Sequence, residues 1–194
     1  LAKKVLLADA LGQVADGAFA AGDHLTVSLA WLGAVAYTLQ LYFDFSGYTD
    51  MAIGLGRVFG FRLPENFNYP YISKSASEFW RRWHMTLSFW FRDYVYIPLG
   101  GNRCSRARHL LNLLVVWMLT GLWHGSAWTF VAWGLYYAAL LLGERFLWGK
   151  ALEKLPGAVR HLYALVLVIV GWVFFRSATL TQAGQMIAGM FGFA

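Results

Sequence analysis

His124 stands in Trp123-His124-Gly125, within a stretch from 110 to 143 that holds no Lys, Arg, Asp or Glu. An ionisable group at membrane depth is costly, so by default it faces a cavity or a partner and marks a function. Kept from water, an imidazole stays neutral, and a neutral imidazole is what a general base requires. The plainer alternative is a packing hydrogen bond to a neighbouring helix. A second histidine, His84, sits in Trp80-Arg81-Arg82-Trp83-His84-Met85-Thr86-Leu87-Ser88. On a helix it shares a face with Arg81, Leu87 and Ser88. That mix of positive charge and hydroxyl suits an anionic donor; otherwise His84 is an interfacial histidine without a role. Arg103, Arg106 and Arg108 follow in 102–109. Guanidinium groups match phosphate geometry, so these three fit either a donor's phosphates or lipid headgroups.

Several chemistries are excluded by what is missing. His24, His109 and His161 read as loop or interface residues. No two histidines fall at i, i+3 or i, i+4 and no His-Glu cluster exists, so no metal site is expected. A Gly-x-Ser-x-Gly nucleophile motif is absent. Cys104 is the only cysteine and reads as an incidental loop residue, with no disulfide framework.

The elements that must hold these residues are membrane elements. Hydrophobic residues make up 59% of the 194 and charged ones 13%, against about a quarter charged in soluble domains. The net charge of +6 gathers between apolar spans, as cytoplasmic loops do under the positive-inside rule, rather than on a face for nucleic acid. Four spans are expected: 25–43, 110–123, 127–143 and 162–175. As one helix, 110–143 would run about 50 Å, well beyond one crossing, so a turn at His124-Gly125-Ser126 is expected at the floor of a depression. Segment 78–96, capped by Ser77 and stopped by Pro98, interleaves aromatics with Arg81, Arg82 and Arg92. It reads as one helix lying along the interface. Residues 144–160 read as a charged loop, cytoplasmic like 57–109, which puts His124 on the opposite side. Lys3 and Lys4 fit that orientation less well. Asp44 and Asp50, around Tyr48, point either to a broken, re-entrant helix or to two interfacial carboxylates. The fold class is therefore all-α: one polytopic, membrane-embedded domain over 1–194, with short, tilted and re-entrant helices. The chain lacks an N-terminal basic-then-apolar leader pattern, starts at Leu1 and ends in an uncharged segment, so a piece of a longer protein is expected.

Four motifs in order carry a resemblance: Tyr42-Phe43-Asp44-Phe45-Ser46-Gly47-Tyr48-Thr49-Asp50, then Phe79-Trp80-Arg81-Arg82-Trp83-His84-Met85-Thr86-Leu87-Ser88, then Phe91-Arg92-Asp93-Tyr94-Val95-Tyr96-Ile97-Pro98-Leu99-Gly100-Gly101, then Thr120-Gly121-Leu122-Trp123-His124-Gly125. The chain resembles the membrane-bound O-acyltransferase family. Within it, the likeness is to the bacterial branch of the alginate O-acetyltransferase membrane subunit and the D-alanine exporter, and to the C-terminal half of such proteins. The resemblance implies that His124 is the catalytic histidine and His84 a second active-site residue. It implies no bound cofactor, with acetyl-CoA or another acyl thioester as donor, held with help from Arg103, Arg106 and Arg108. Asp44, Tyr48 and Asp50 become supporting residues. The implied partners are the bilayer and an extracytoplasmic polysaccharide or its dedicated periplasmic acetyltransferase, and the implied location is the bacterial inner membrane. The competing expectations are a transporter or channel, which predicts paired broken helices, and a structural subunit of a cell-envelope polysaccharide export complex, which predicts tolerance of His124→Asn.

Overall fold

The computed structural model describes residues 1–193. The described residues form helices and connecting turns, with no strand among them. In chain order these are α1 (Asp9–Phe19), α2 (Val27–Val58), α3 (Ala76–Trp80), α4 (Met85–Phe91), α5 (Arg106–His124), α6 (Trp128–Gly143), α7 (Gly149–Glu153), α8 (Gly157–Arg176) and α9 (Leu180–Met190). Wider π-helical turns occupy Lys3–Ala8, Arg92–Tyr96 and Glu144–Trp148. Two helical stretches, Trp128–Glu153 and Gly157–Arg176, are long and apolar enough to cross a membrane. The helices gather into two compact units, residues 1–66 with 172–194, and residues 67–171.

In the first unit, α1 packs on α2 through small residues: Gly12, Ala15 and Ala18 on one side, Ala30, Gly33 and Ala34 on the other, all buried. Small side chains let helix backbones approach, as they do in membrane bundles. Thr26 caps α2 by accepting the Leu29 N–H at 3.3 Å. The Trp31 indole donates to the Met190 carbonyl at 2.8 Å, tying α9 to α2. Of the two readings of Asp44 and Asp50, the broken, re-entrant helix does not occur, since α2 runs unbroken for 32 residues, about 48 Å. Both carboxylates find partners without disturbing the backbone. Lys4 Nζ lies 2.9 Å from Asp44 and Lys3 Nζ 2.6 Å from Asp50. The two N-terminal lysines are thus paired within the unit, at side chains that stay partly exposed.

In the second unit, α5 and α6 form a tight hairpin. A Cβ on Gly134 would lie 2.3 Å from the Trp117 carbonyl oxygen, and one on Gly121 2.4 Å from that of Phe130. Only glycine allows that backbone approach. Trp133 and Tyr137, on the buried face of α6, are 1% and 0% exposed. Trp80 of α3 inserts beside them, its ring 4.8 Å from both Trp117 and Tyr137 and 5.6 Å from Trp133.

Two expectations are corrected here. Segment 78–96 is not one helix: α3, α4 and the π-helical turn are separate pieces, interrupted at residues 81–84. Asn68 N–H donates to the Arg82 carbonyl at 2.9 Å and an Arg82 guanidinium N–H donates back to the Asn68 carbonyl at 3.2 Å, so the Arg82 backbone is turned outward to the loop. Ser75, rather than Ser77, caps α3 by accepting the Glu78 N–H at 3.0 Å. Residues 144–153 are helical rather than loop. The Glu144 carboxylate there takes up donors from α3, and the Trp148 indole donates to the Tyr163 hydroxyl at 2.9 Å.

Candidate active site

His124 is the last residue of α5; Gly125 beyond it is extended, and α6 begins at Trp128. Its ring lies 4.9 Å from that of Trp123 and 5.1 Å from that of Trp133, edge to face in each case. His84 arrives from a different element. It is the residue before α4 and adopts the left-handed conformation, φ 45° and ψ 52°. Non-glycine residues seldom hold that conformation, histidine more often than most, and it persists where the surroundings impose it. The constraints are on view: the Asn68–Arg82 bonds hold the preceding turn, and the His84 carbonyl accepts the Ser88 N–H at 3.1 Å as α4 starts. The result turns His84 toward the end of α5, with its ring 6.2 Å from that of Trp123. The two imidazoles are close enough to sense each other's charge. His84 lies outside the apolar spans, and burial alone pushes its imidazole down to about 4, leaving it neutral at pH 7.

A cavity of about 510 Å³ opens beside His84, within the size range of small-molecule sites. Trp80, Leu87, Phe91, Val116 and Trp117 give it apolar walls, and Thr120 lies one helical turn before His124. Arg81, Arg92 and Arg145 supply its charge. Arg92 is already bound to Asp93 at 2.7 Å, so Arg81 and Arg145 are the cations better placed for an anionic ligand. A second cavity of about 440 Å³ shares Ser77, Arg81, Leu113, Leu141 and Arg145 with the first, and adds Glu78, Glu144, Glu153 and Arg160. Burial pushes the Glu78 carboxyl up, but the Lys74 N–H and the Arg82 guanidinium outweigh it and hold the group below the usual range.

The residues singled out by sequence divide cleanly. His84, Arg81, Leu87 and Ser88 all line the cavity, although the helix expected to place them on one face is broken. Arg103, Arg106 and Arg108 are exposed and do not line it; the Arg106 guanidinium sits over the Phe146 ring, 4.9 Å from its centre. Asp44 and Asp50 belong to the other unit, engaged with lysines, and Tyr48 there is 63% exposed. His109 is buried and paired with the Tyr96 hydroxyl at 2.9 Å, not a loop residue. His161 Nδ1 meets the Ser73 carbonyl at 3.1 Å. No group of three metal-ligating side chains occurs among the described residues. Sequence reasoning missed Arg145 and Glu144. Their signal was position: they are the first charges after the uncharged run that contains His124.

A helical fold with two apolar crossing-length helices, in which His84 lines a cavity and His124 stands close by outside its lining, is that of a membrane-embedded protein with the makings of an active site. The chain belongs to the membrane-bound O-acyltransferase family, whose model matches residues 2–175. Among curated proteins it is 54% identical over 191 residues to a probable alginate O-acetylase of Azotobacter vinelandii, covering 98% of this chain and 38% of that protein. It is 51% identical over 191 residues to the probable alginate O-acetylase of Pseudomonas aeruginosa, with 98% and 36% covered. It is 42% identical over 196 residues to a peptidoglycan O-acetyltransferase of Helicobacter pylori, with 99% and 37% covered. The chain thus spans well under half the length of the curated relatives it matches.

Proposed function

We propose that this chain is the histidine-bearing part of an O-acetyltransferase that moves an acetyl group from a cytoplasmic acyl thioester, such as acetyl-CoA, towards a hydroxyl of an extracytoplasmic, alginate-like polysaccharide. The observation that carries the reading is the approach of His84, which lines a cavity with apolar walls and an arginine-bearing side, to the end of α5 that carries His124, one helical turn beyond the cavity's Thr120. The names of the relatives, acetylases of alginate and peptidoglycan, support the acceptor class. The whole protein is a multi-pass protein of the bacterial inner membrane, in which 25–43, 110–123, 127–143 and 162–175 cross or enter the bilayer.

In this scheme the donor's acyl arm lies in the cavity, its anionic end towards Arg81 and Arg145. His124 accepts the proton of the acceptor hydroxyl as that oxygen attacks the thioester carbonyl carbon. The carbon–sulfur bond breaks, and the departing sulfur takes the proton back from the imidazolium. Holding both partners within about 3 Å accounts for much of the rate. His84, neutral, orients the thioester carbonyl. The hydroxyl belongs to the polysaccharide or to a periplasmic acetyltransferase that passes the group on. Asp44, Tyr48 and Asp50 support the neighbouring fold without entering the chemistry, and Arg103, Arg106 and Arg108 face the headgroups.

The test is acetyl ester on the polysaccharide of cells carrying the full-length protein, compared for wild type, His124→Ala and His84→Ala at matched membrane abundance. The expected loss for His124→Ala is on the order of a hundredfold or more, the scale of a general base. Full retention of acetyl ester would overturn the catalytic assignment and favour transport or a structural role.

A further inference from the structure

We infer that Glu144 is a positioning residue for His84, acting through α3; this rests on the reading of His84 as an active-site residue. Glu144 follows the last residue of α6 and is 8% exposed. Its Oε1 accepts the Ala76 N–H at 2.7 Å, and its Oε2 accepts both the Ser77 N–H at 2.9 Å and the Ser77 hydroxyl at 2.7 Å. The Tyr163 hydroxyl donates to Oε1 at 3.3 Å. The first N–H groups of a helix have no partner inside it, and a carboxylate that takes two of them both satisfies them and opposes the positive helix end. With five residues, α3 is far too short to stand alone.

Two tethers therefore hold α3 to the α5–α6 hairpin and the residue that follows it: Trp80 among the aromatic rings, and Ala76 and Ser77 on Glu144. Apolar packing is non-directional and fixes the axial position of α3 less sharply than hydrogen bonds do. Charge-assisted hydrogen bonds are directional and roughly twice as strong as neutral ones, so Glu144 sets the register. The α5–α6 hairpin thus carries His124 at one end and, through Glu144, fixes α3 at the other. From α3 the chain passes through the turn locked by Asn68 directly to His84. One carboxylate relates the two histidines although it lines only the polar cavity.

The experiment uses the full-length protein in membranes, with acetyl-CoA as donor, and compares Glu144→Ala, Glu144→Met and Glu144→Gln per folded molecule. Amide hydrogen exchange at residues 76–80 is followed in parallel. A misplacement of about 1 Å costs up to about a hundredfold in rate, so Ala and Met are expected to lower kcat at least about tenfold with KM within about twofold. Both should speed exchange at Ala76 and Ser77. Gln keeps an acceptor for one N–H but sets its NH2 against the other, so it should recover only part of the rate and lie between Ala and wild type. A Met variant as active as wild type, unchanged exchange, or activity loss that only follows the amount of folded protein would overturn the inference. If Glu144→Ala does not fold, Ser77→Ala deletes a single bond to Glu144; unchanged kcat and exchange in that variant would equally overturn it. A wild-type protein that transfers no acetyl group would overturn the functional reading instead, and the exchange data would still decide whether Glu144 fixes α3.

Discussion

His84 holds a conformation that costs about 1–3 kcal/mol for a residue of its kind, so the surrounding bonds must impose it. Asparagine tolerates the left-handed region far better than most residues. His84→Asn is therefore expected to keep the protein folded at wild-type abundance while acetyl transfer falls with the loss of the imidazole; equal loss of both in a membrane-abundance assay would contradict it. The same side chain sets a pH dependence. Its folded value, about 4, lies below the ordinary 6.5, so the unfolded chain binds more protons between those limits and stability rises with pH across them. Acidifying from about pH 6.5 to 4 should lower the melting temperature in detergent, and His84→Asn should flatten that part of the curve. A curve of unchanged slope in the variant would assign the acid sensitivity to other groups.

At the scale of elements, the α5–α6 hairpin is the part that tolerates least. The space that a Cβ on Gly134 would need is occupied by the Trp117 carbonyl oxygen at 2.3 Å, and that atom belongs to helix backbone, which cannot rotate away. Gly134→Ala must part the two helices and is expected to cost about 1–3 kcal/mol, the range for overpacking. Thermal unfolding in detergent would read this as a lower midpoint, and His124 would move from Trp133 with it. Gly54, where an added Cβ meets nothing within 4 Å, is the control: Ala there should be neutral or stabilising, because α2 gains helix propensity. Sequence periodicity located the hairpin, since 110–143 is too long for one crossing. It could not see the break at residues 81–84, because nothing in Trp80-Arg81-Arg82-Trp83 is a helix breaker. That break is made by Asn68, more than a dozen residues away.

At the scale of the whole molecule, the proposed orientation rests on where the positive charges fall along the chain. The net positive loop 57–109 was assigned to the cytoplasmic side, and the exposed Arg103, Arg106 and Arg108 make it testable. With other accessible thiols removed, Arg103→Cys should react with a membrane-impermeant maleimide in inside-out vesicles and not in intact spheroplasts. The opposite pattern would invert the orientation and, with it, the direction of acetyl flow. The N-terminal lysines, which fit that orientation less well, pair with Asp44, Asp9 and Asp50.

Composition alone pointed to a membrane, with 59% hydrophobic residues and 13% charged, and the long uncharged runs pointed to helices, whose backbone groups are satisfied within the segment. Motif order alone determined the family, and the isolation of His124 in an uncharged run marked it for chemistry, because ionisable groups at depth are retained only for a reason. What the chain order could not disclose was which charges meet the histidines. Three arginines close together in the sequence, Arg103, Arg106 and Arg108, stay at the surface, while Arg81 and Arg145, far apart in sequence, line one cavity. That outcome depends on where α3 docks, and docking is decided by directional bonds between distant residues: Asn68 to Arg82, Glu144 to Ala76 and Ser77. Hydropathy is additive along a chain and can be read locally. Hydrogen-bond partners are chosen only once the helices have packed.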